Sequence, residues 1–277
     1  MKSNYVMLLL EGDNMRPVER IKEKYKKTKK KSLMVYLVLR ILVLICLVLE
    51  IMKGNFNNAF LCLLSLLLFT IPTLLEDKFQ IGLPSVLESI VYLFIFSAEI
   101  LGEINNFYGH IPYWDTLLHT LNGFLAAGVG FSLIDLLNKN SKKISLSPLY
   151  VALVAFCFSM TIGVLWEFFE YTGDKYFNLD MQKDRIVTKI SSVEFNENRE
   201  NKAIVIDHIK QTTIETEEGT VVIRDGYLDI GLNDTMKDLM VNFIGAICFC
   251  FLGYLYILNR DKYKFATNFI PMKEGKK

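Results

Sequence analysis

The sequence has few of the residues that mark disordered chains, disulfide-linked domains or nucleic-acid-binding proteins. Six prolines and 16 glycines in 277 residues are too few for a low-complexity chain. The 31 lysines and arginines are balanced by 30 aspartates and glutamates, and a net charge of +1 excludes a basic nucleic-acid-binding protein. The five cysteines all lie in apolar segments and form no CxxC pair, so we interpret them as packing residues outside any disulfide framework.

Long apolar runs are what the sequence has instead. Hydrophobic residues make up 52% of the chain. They form blocks of about 17 to 25 residues, the length at which a helix crosses a hydrocarbon core of ~30 Å. The charged residues lie between these blocks. We therefore predict an all-α polytopic membrane protein with six transmembrane helices, at residues 33–52, 59–75, 86–103, 115–137, 148–172 and 236–258.

The distribution of lysine and arginine predicts how these helices are oriented. Ten of these residues lie in a basic N-terminal arm, residues 1–32, and more of them follow the fourth helix. The tail at 259–277 is basic again. Cytoplasmic segments of membrane proteins carry such an excess. We therefore expect both termini in the cytoplasm and the protein in the bacterial plasma (inner) membrane.

The longest segment between helices, residues 173–235, differs in composition from the rest. It has 8 lysines and arginines against 13 aspartates and glutamates, which agrees with an extracytoplasmic position. Short β-branched runs at 185–190, 203–206 and 220–224 are separated by turn signals such as Asp225-Gly226. We predict a small β-rich extracytoplasmic insertion between helices five and six.

Ionisable and amide residues line up at the ends of the last three predicted helices. Spacings of three or four residues place the acids of each set on one face of its helix. A single acid at a helix end is common as an N-cap, but ionisable groups one or two turns inside usually face a cavity. The predicted topology brings all three sets to the outer side, so we predict one shared site. The sets are Asp115, His119 and Asn122 in helix four, Glu167 and Glu170 in helix five, and Asp234, Asp238 and Asn242 in helix six.

The excess of carboxylates in this site predicts a bound cation. Clustered acids at the edge of an apolar region repel one another unless they are protonated, or bind a metal ion or a cationic substrate. Carboxylate, amide and imidazole ligands suit a divalent metal ion, which could be Mg²⁺, Mn²⁺ or Zn²⁺. We assign metal ligation to Asp115, Glu167 and Asp238, acid–base catalysis to His119 and Glu170, and the wall of the site to Asp234, Asn242 and Asn122.

Three segments of the chain carry a resemblance. They read Trp-Asp-Thr-Leu-Leu-His from 114, Trp-Glu-Phe-Phe-Glu from 166, and Asp-Thr-Met-Lys-Asp-Leu-Met-Val-Asn from 234. In this order they resemble an uncharacterised bacterial membrane-protein family, the one that includes the inner membrane protein YjdF. More distantly, they are similar to VanZ-like proteins, which carry Asp-x3-His, a glutamate, and Asp-x3-Asn-x2-Gly-Ala in successive helices. The second resemblance implies a role in lipid metabolism at the cell envelope.

Three functions agree with this pattern. We favour a metal-assisted hydrolase or transferase that acts on a lipid head group, or on a lipid-linked envelope precursor, at the outer leaflet. A non-catalytic envelope sensor or scaffold would instead bind its partner through the acidic insertion. A cation transporter is the weakest alternative, because the inner parts of the three site helices contain no aspartate, glutamate, lysine, arginine or histidine. These parts are residues 123–134, 149–162 and 243–257.

Overall fold

Six long apolar helices dominate the computed structural model, which describes residues 17–74, 81–140, 146–198 and 200–273. By length and composition, all six could cross a membrane, which confirms the predicted all-α polytopic fold. The apolar stretch of the second continues to Leu74, and the third continues as a π-helix, Ser97–Ile104. We number the helices α1 Pro17–Met52, α2 Phe56–Leu68, α3 Ser85–Phe96, α4 Trp114–Asn140, α5 Pro148–Phe177 and α6 Leu232–Leu258.

The helix ends differ from the prediction by a few residues. Helix α6 begins at Leu232, four residues before the predicted start, with the acidic Asp234 in its first turn, where carboxylates are favourable. Helix α1 extends back to Pro17, so part of the predicted basic arm is helical. Parts of the predicted basic segments lie outside the described residues: residues 1–16 of the arm, the lysines at 142 and 143 after α4, and those at 276 and 277 in the tail.

The chain divides into two compact units. Unit 1 comprises Met1–Trp114, Phe131–Val151 and Leu252–Lys277, and unit 2 comprises Asp115–Gly130 and Ala152–Phe251. In unit 1, helices α1 to α3 bury an apolar cluster in which the rings of Phe69 and Tyr92 meet edge to face at 5.7 Å. Also within unit 1, Arg260, which follows the end of α6, forms an ion pair of 2.9 Å with the buried Asp135 of α4.

In unit 2, helices α4 and α6 touch main chain to main chain. A Cβ at Gly123 would lie 2.0 Å from the carbonyl oxygen of Asn242, and a Cβ at Gly245 would lie 1.9 Å from that of Thr120. Neither position has room for a side chain, which is how small residues allow close helix packing. Helix α5 contacts α4 at the same place, where the hydroxyl of Ser159 donates a 2.8 Å hydrogen bond to the carbonyl oxygen of Gly123.

The segment between α5 and α6 is built from short antiparallel pairs, which confirms the predicted β-rich insertion. Its longest pair is a hairpin, Gln211–Thr216 with Gly219–Arg224, whose tight turn places Gly219 at φ +141°. Arg185–Val187 pairs with Tyr227–Asp229, and Ile190–Ser192 pairs with Ile204–Ile206. The first of these two pairs closes the insertion, because its strands lie next to the ends of α5 and α6.

Candidate carboxylate–histidine site

The structure places the ionisable residues of α4, α5 and α6 together within unit 2. On α4, Asp115 and His119 are one helical turn apart. On α5, Glu167 and Glu170 are also one turn apart. Asp238 lies on the second turn of α6. Glu167, Glu170 and Asp238 are all buried, at 5%, 8% and 1% relative exposure. The backbone contact of α4 with α6 lies beside these residues, at Thr120 and Gly123 of α4 and at Asn242 and Gly245 of α6. It therefore sets how closely the carboxylates can approach.

The imidazole of His119 lies at the centre of the site. Its Nε2 is 3.4 Å from Oδ1 of Asp115 and 3.8 Å from Oδ2 of Asp238. On the other edge of the ring, Nδ1 is 3.9 Å from Oε1 of Glu167. One histidine from α4 thus contacts carboxylates on its own helix and on both neighbouring helices.

Two buried carboxylate oxygens lack a hydrogen-bond donor among the described residues. They are Oε2 of Glu167 and Oδ1 of Asp238. The nearest cation to the second is Lys237, whose Nζ is 3.7 Å away, beyond hydrogen-bond range. A buried charged oxygen without a donor is costly, so such atoms mark places where an ion, a water molecule or a ligand group binds.

Lys237 is a site residue whose partner the sequence did not indicate. Its Nζ forms a 2.8 Å ion pair with Oδ2 of Asp115, joining α6 to α4. The residue lies next to Asp238 in sequence and so points to a different side of α6. Its long flexible side chain reaches the site nevertheless, which spacing along one helix could not reveal.

The donor atoms fit a metal ion. One ligand atom from each of Asp115, His119 and Asp238 lies within 4.8 Å of the other two. Ligands at about 2.1 Å from a tetrahedral Zn²⁺ are roughly 3.4 Å apart, close to the distances measured at His119. We predicted Glu167 in place of His119 as the third ligand. In the structure, the three-atom group contains the histidine, and Glu167 lies on its far side.

Glu170, predicted as an acid–base residue, is bound by a tryptophan. The indole Nε1–H of Trp166 donates a 2.7 Å hydrogen bond to Oε1 of Glu170, one turn away on α5. The ring of Trp166 also lies 5.4 Å from that of Phe169. Trp166 is thus a wall of the carboxylate cluster.

Asp234, predicted as a wall of the site, is bound by the insertion. Its Oδ1 pairs with Nη2 of Arg185 at 2.6 Å, and its Oδ2 accepts the main-chain amide of Lys183 at 3.0 Å. Asp174 at the end of α5 similarly accepts the amides of Met181 and Gln182. We call residues 181–185 the strap, because the carboxylates of α5 and α6 bind it at successive amides.

The strap also contains an acidic residue, Asp184, whose carboxyl lies near other carboxylates. Partial burial and the neighbouring carboxylates of Asp180 and Asp174 raise the pKa of its carboxyl. The strap thus places Asp184 near other carboxylates, which repel it. The contacts of Asp234 and Asp174 with the strap amides hold the strap in place against this repulsion.

Replacing Asp234 by asparagine should release the strap. The substitution removes the charge that binds Arg185, and trypsin should then cleave after Lys183 and Arg185 about tenfold faster, because local opening becomes more frequent. Mass spectrometry of the fragments measures this rate. Asp207→Asn is the control, since Asp207 pairs with Lys189 elsewhere on the insertion. Equal cleavage at the strap in both variants would contradict the assignment.

The two predicted asparagines pair with each other beneath the acids. Nδ2 of Asn122 donates a 3.1 Å hydrogen bond to Oδ1 of Asn242, which is itself buried beside the sulfur of Met160. A Cβ on Gly163 would meet the amide of Asn242 at 2.8 Å. The asparagines therefore pack α4, α5 and α6 together, and they support the floor of the site.

Comparison with known proteins gives the family. A family model described as predicted membrane protein (DUF2238) matches residues 34–259. The chain belongs to this family. The predicted resemblance to the family of YjdF is thereby confirmed, whereas the resemblance to VanZ-like proteins stays a prediction.

One curated relative and the solved structures complete the comparison. An "Uncharacterized protein" of Thermotoga maritima is 35% identical over 81 residues, which are 29% of this chain and 40% of the relative. The chain therefore spans about two-fifths of the length of the relative it matches. No solved structure matches the chain.

Proposed function

We propose that the protein is a metal-assisted hydrolase or transferase that acts on the head group of a membrane lipid, or on a lipid-linked envelope precursor, at the outer leaflet of the plasma membrane. The observation that supports this most strongly is the three-atom group of Asp115, His119 and Asp238, which lies on two helices that are long and apolar enough to cross a membrane. Ionisable groups inside apolar spans are expensive and are usually retained for function.

The ligand types favour a transition metal. Two carboxylates and an imidazole would hold Zn²⁺ or Mn²⁺ better than Mg²⁺, which prefers oxygen ligands and water. A bound ion of this kind lowers the pKa of a water ligand and polarises a phosphoryl oxygen. His119 would then act as a ligand, in place of the acid–base role that its residue type alone suggests.

Glu167 is the site carboxylate best placed to bind a donor group of the substrate. Its Oε2 has no donor among the described residues, so it can accept a hydrogen bond from the substrate. Its Oε1 lies 3.9 Å from the His119 ring, which keeps the carboxylate beside the ligand group. Lys237 is one-third exposed and is the cation nearest the group, so it would orient an anionic substrate.

A lipid substrate agrees with the surroundings of the site. Helix α5 buries Glu167 and Glu170 but exposes its neighbours Leu165, Phe168 and Phe169. In a bilayer, this exposed face contacts acyl chains. A head group could therefore reach the carboxylates along α5 while its chains stay in the membrane. The positive-inside distribution of lysine and arginine supports placing this end of α5 at the outer leaflet.

Lipid analysis of intact cells tests the proposal. Cells that express the wild-type protein should contain a lipid product that falls at least about 100-fold with His119→Ala, the scale of loss typical of a catalytic group. His110→Ala is the matched control, because His110 is exposed and lies outside the site. Identical lipid profiles for the two variants and the wild type would contradict the enzyme proposal. Loss of the phenotype only on deletion of residues 183–220 would favour the scaffold alternative.

A further inference from the structure

Two glutamates of the site have no lysine or arginine partner within the part of the chain that the structure describes. Five carboxylates lie in the site, on Asp115, Glu167, Glu170, Asp234 and Asp238. Within the described part of unit 2, Arg185 pairs with Asp234, and Lys237 pairs with Asp115 and approaches Asp238. A metal ion at the three-atom group would neutralise Asp115 and Asp238 further. Glu167 and Glu170 on α5 then form an acidic pair with no lysine or arginine partner among the described residues.

The carboxylate oxygens of Glu167 and Glu170 can accept further hydrogen bonds from N–H donors. Oε2 of Glu167 is buried and has no donor among the described residues. Glu170 receives one hydrogen bond, from the Trp166 indole to Oε1. A primary ammonium group carries three N–H donors and a positive charge, so it can satisfy both glutamates at once. A quaternary ammonium has no N–H and would leave the Glu167 oxygen unsatisfied.

The aromatic residues add a second attraction for a cation. Trp166 and Phe169 lie with their rings 5.4 Å apart beside Glu170. The faces of such rings attract ammonium groups, with tryptophan the strongest. Phe169 is partly exposed on the lipid-facing side of α5, so a lipid head group has a route to the pair.

We propose that Glu167, Glu170 and Trp166 form a subsite for the primary ammonium group of a phosphoethanolamine-type lipid. This inference rests on the proposed function, and it names the substrate class of the same site. The phosphate of the head group faces Lys237 and the Asp115–His119–Asp238 group. The His119 ring separates the phosphate-binding side of the site from the ammonium subsite. Its Nε2 lies towards Asp115 and Asp238, and its Nδ1 lies towards Glu167.

Tryptophan fluorescence reports this subsite directly. The chain has two tryptophans, so Trp114→Phe leaves Trp166 as the sole reporter. Trp114 donates to the carbonyl oxygen of Ser97 in unit 1 and takes no part in the subsite. The full-length W114F protein is reconstituted in phosphatidylglycerol nanodiscs, which are then prepared with increasing fractions of phosphatidylethanolamine or, in parallel, of phosphatidylcholine.

Phosphatidylethanolamine should change Trp166 emission at a fraction at least about tenfold lower than phosphatidylcholine does. Water-soluble phosphoethanolamine should act only at much higher concentration, because the acyl chains concentrate the lipid at α5. Glu167→Gln and Glu170→Gln, each in the W114F background, should remove the preference. Elution volume and thermal unfolding show whether these isosteric variants fold. The wild-type lipid comparison needs no site variant.

The outcomes separate this inference from the proposed function. A phosphatidylethanolamine response equal to that of phosphatidylcholine or pure phosphatidylglycerol overturns the ammonium subsite, whether or not the protein turns over lipid. A preference that persists unchanged in both glutamine variants overturns it as well. Failure of the proposed function is measured by the lipid analysis of intact cells, as an absence of any His119-dependent lipid product. That result does not change the binding preference measured by fluorescence.

Discussion

Replacing Asp238 by asparagine should lower the affinity of the purified protein for Zn²⁺ or Mn²⁺ by at least about 100-fold. Loss of an outer-shell partner typically costs 10- to 100-fold in metal affinity, and Asp238 would be a direct ligand. The side chain is 1% exposed, and its Oδ1 has no hydrogen-bond donor among the described residues. Calorimetric titration of the metal-free protein in detergent measures the change.

Asp135 supplies the control for this substitution. It is also a buried aspartate of an apolar helix, but it pairs with Arg260 at 2.9 Å. Asp135→Asn should therefore reduce thermal stability and leave metal affinity unchanged, whereas Asp238→Asn should reduce affinity with little loss of stability in the metal-free state. If Asp238→Asn binds metal as tightly as the wild type, the three-atom group is not a metal site.

Gly245→Ala should destabilise the protein by about 2 kcal/mol or more, near the upper part of the range for overpacked positions. The new methyl group would lie 1.9 Å from the Thr120 carbonyl oxygen, and a main-chain atom cannot rotate away. The helices α4 and α6 would have to separate at the level of Asn242. Thermal unfolding in detergent should show a lower midpoint, and metal affinity should fall with it, because Asp115 and Asp238 move apart.

Gly253→Ala is the matched control on the same helix. Its Cβ would meet the ring of Phe131 at 2.7 Å, and a side chain can shift where a carbonyl cannot. The stability loss should be clearly smaller than at Gly245. Equal losses at the two positions would mean that the contact of α4 with α6 is not limited by the main chain.

The sequence predicts the helices and the position of the site well, for a physical reason. Helices that cross a membrane must be long and apolar, so their number follows from composition along the chain. Acids are rare in such helices, and a spacing of four residues puts Asp115 and His119 on one face. Three such sets at matching helix ends were enough to predict that the structure would bring them together.

The remaining contacts depend on distances that no local pattern encodes. Lys237 reaches Asp115, a residue 122 positions away, through a flexible side chain. Arg185 comes from the insertion, whose position over α6 follows from tertiary packing alone. The strand Gln211–Thr216 was missed because its residues are mostly polar, and it is defined by its partner across the hairpin.

The glycine contact between α4 and α6 also affects how the site responds to the membrane around it. A bilayer that is too thin or too thick for a helix is accommodated by tilting, at a modest cost per ångström of mismatch. Helices joined through their backbones at Gly123 and Gly245 tilt as one body. Hydrophobic mismatch would then turn the Asp115–His119–Asp238 group as a whole, with its internal spacing kept across membranes of different thickness.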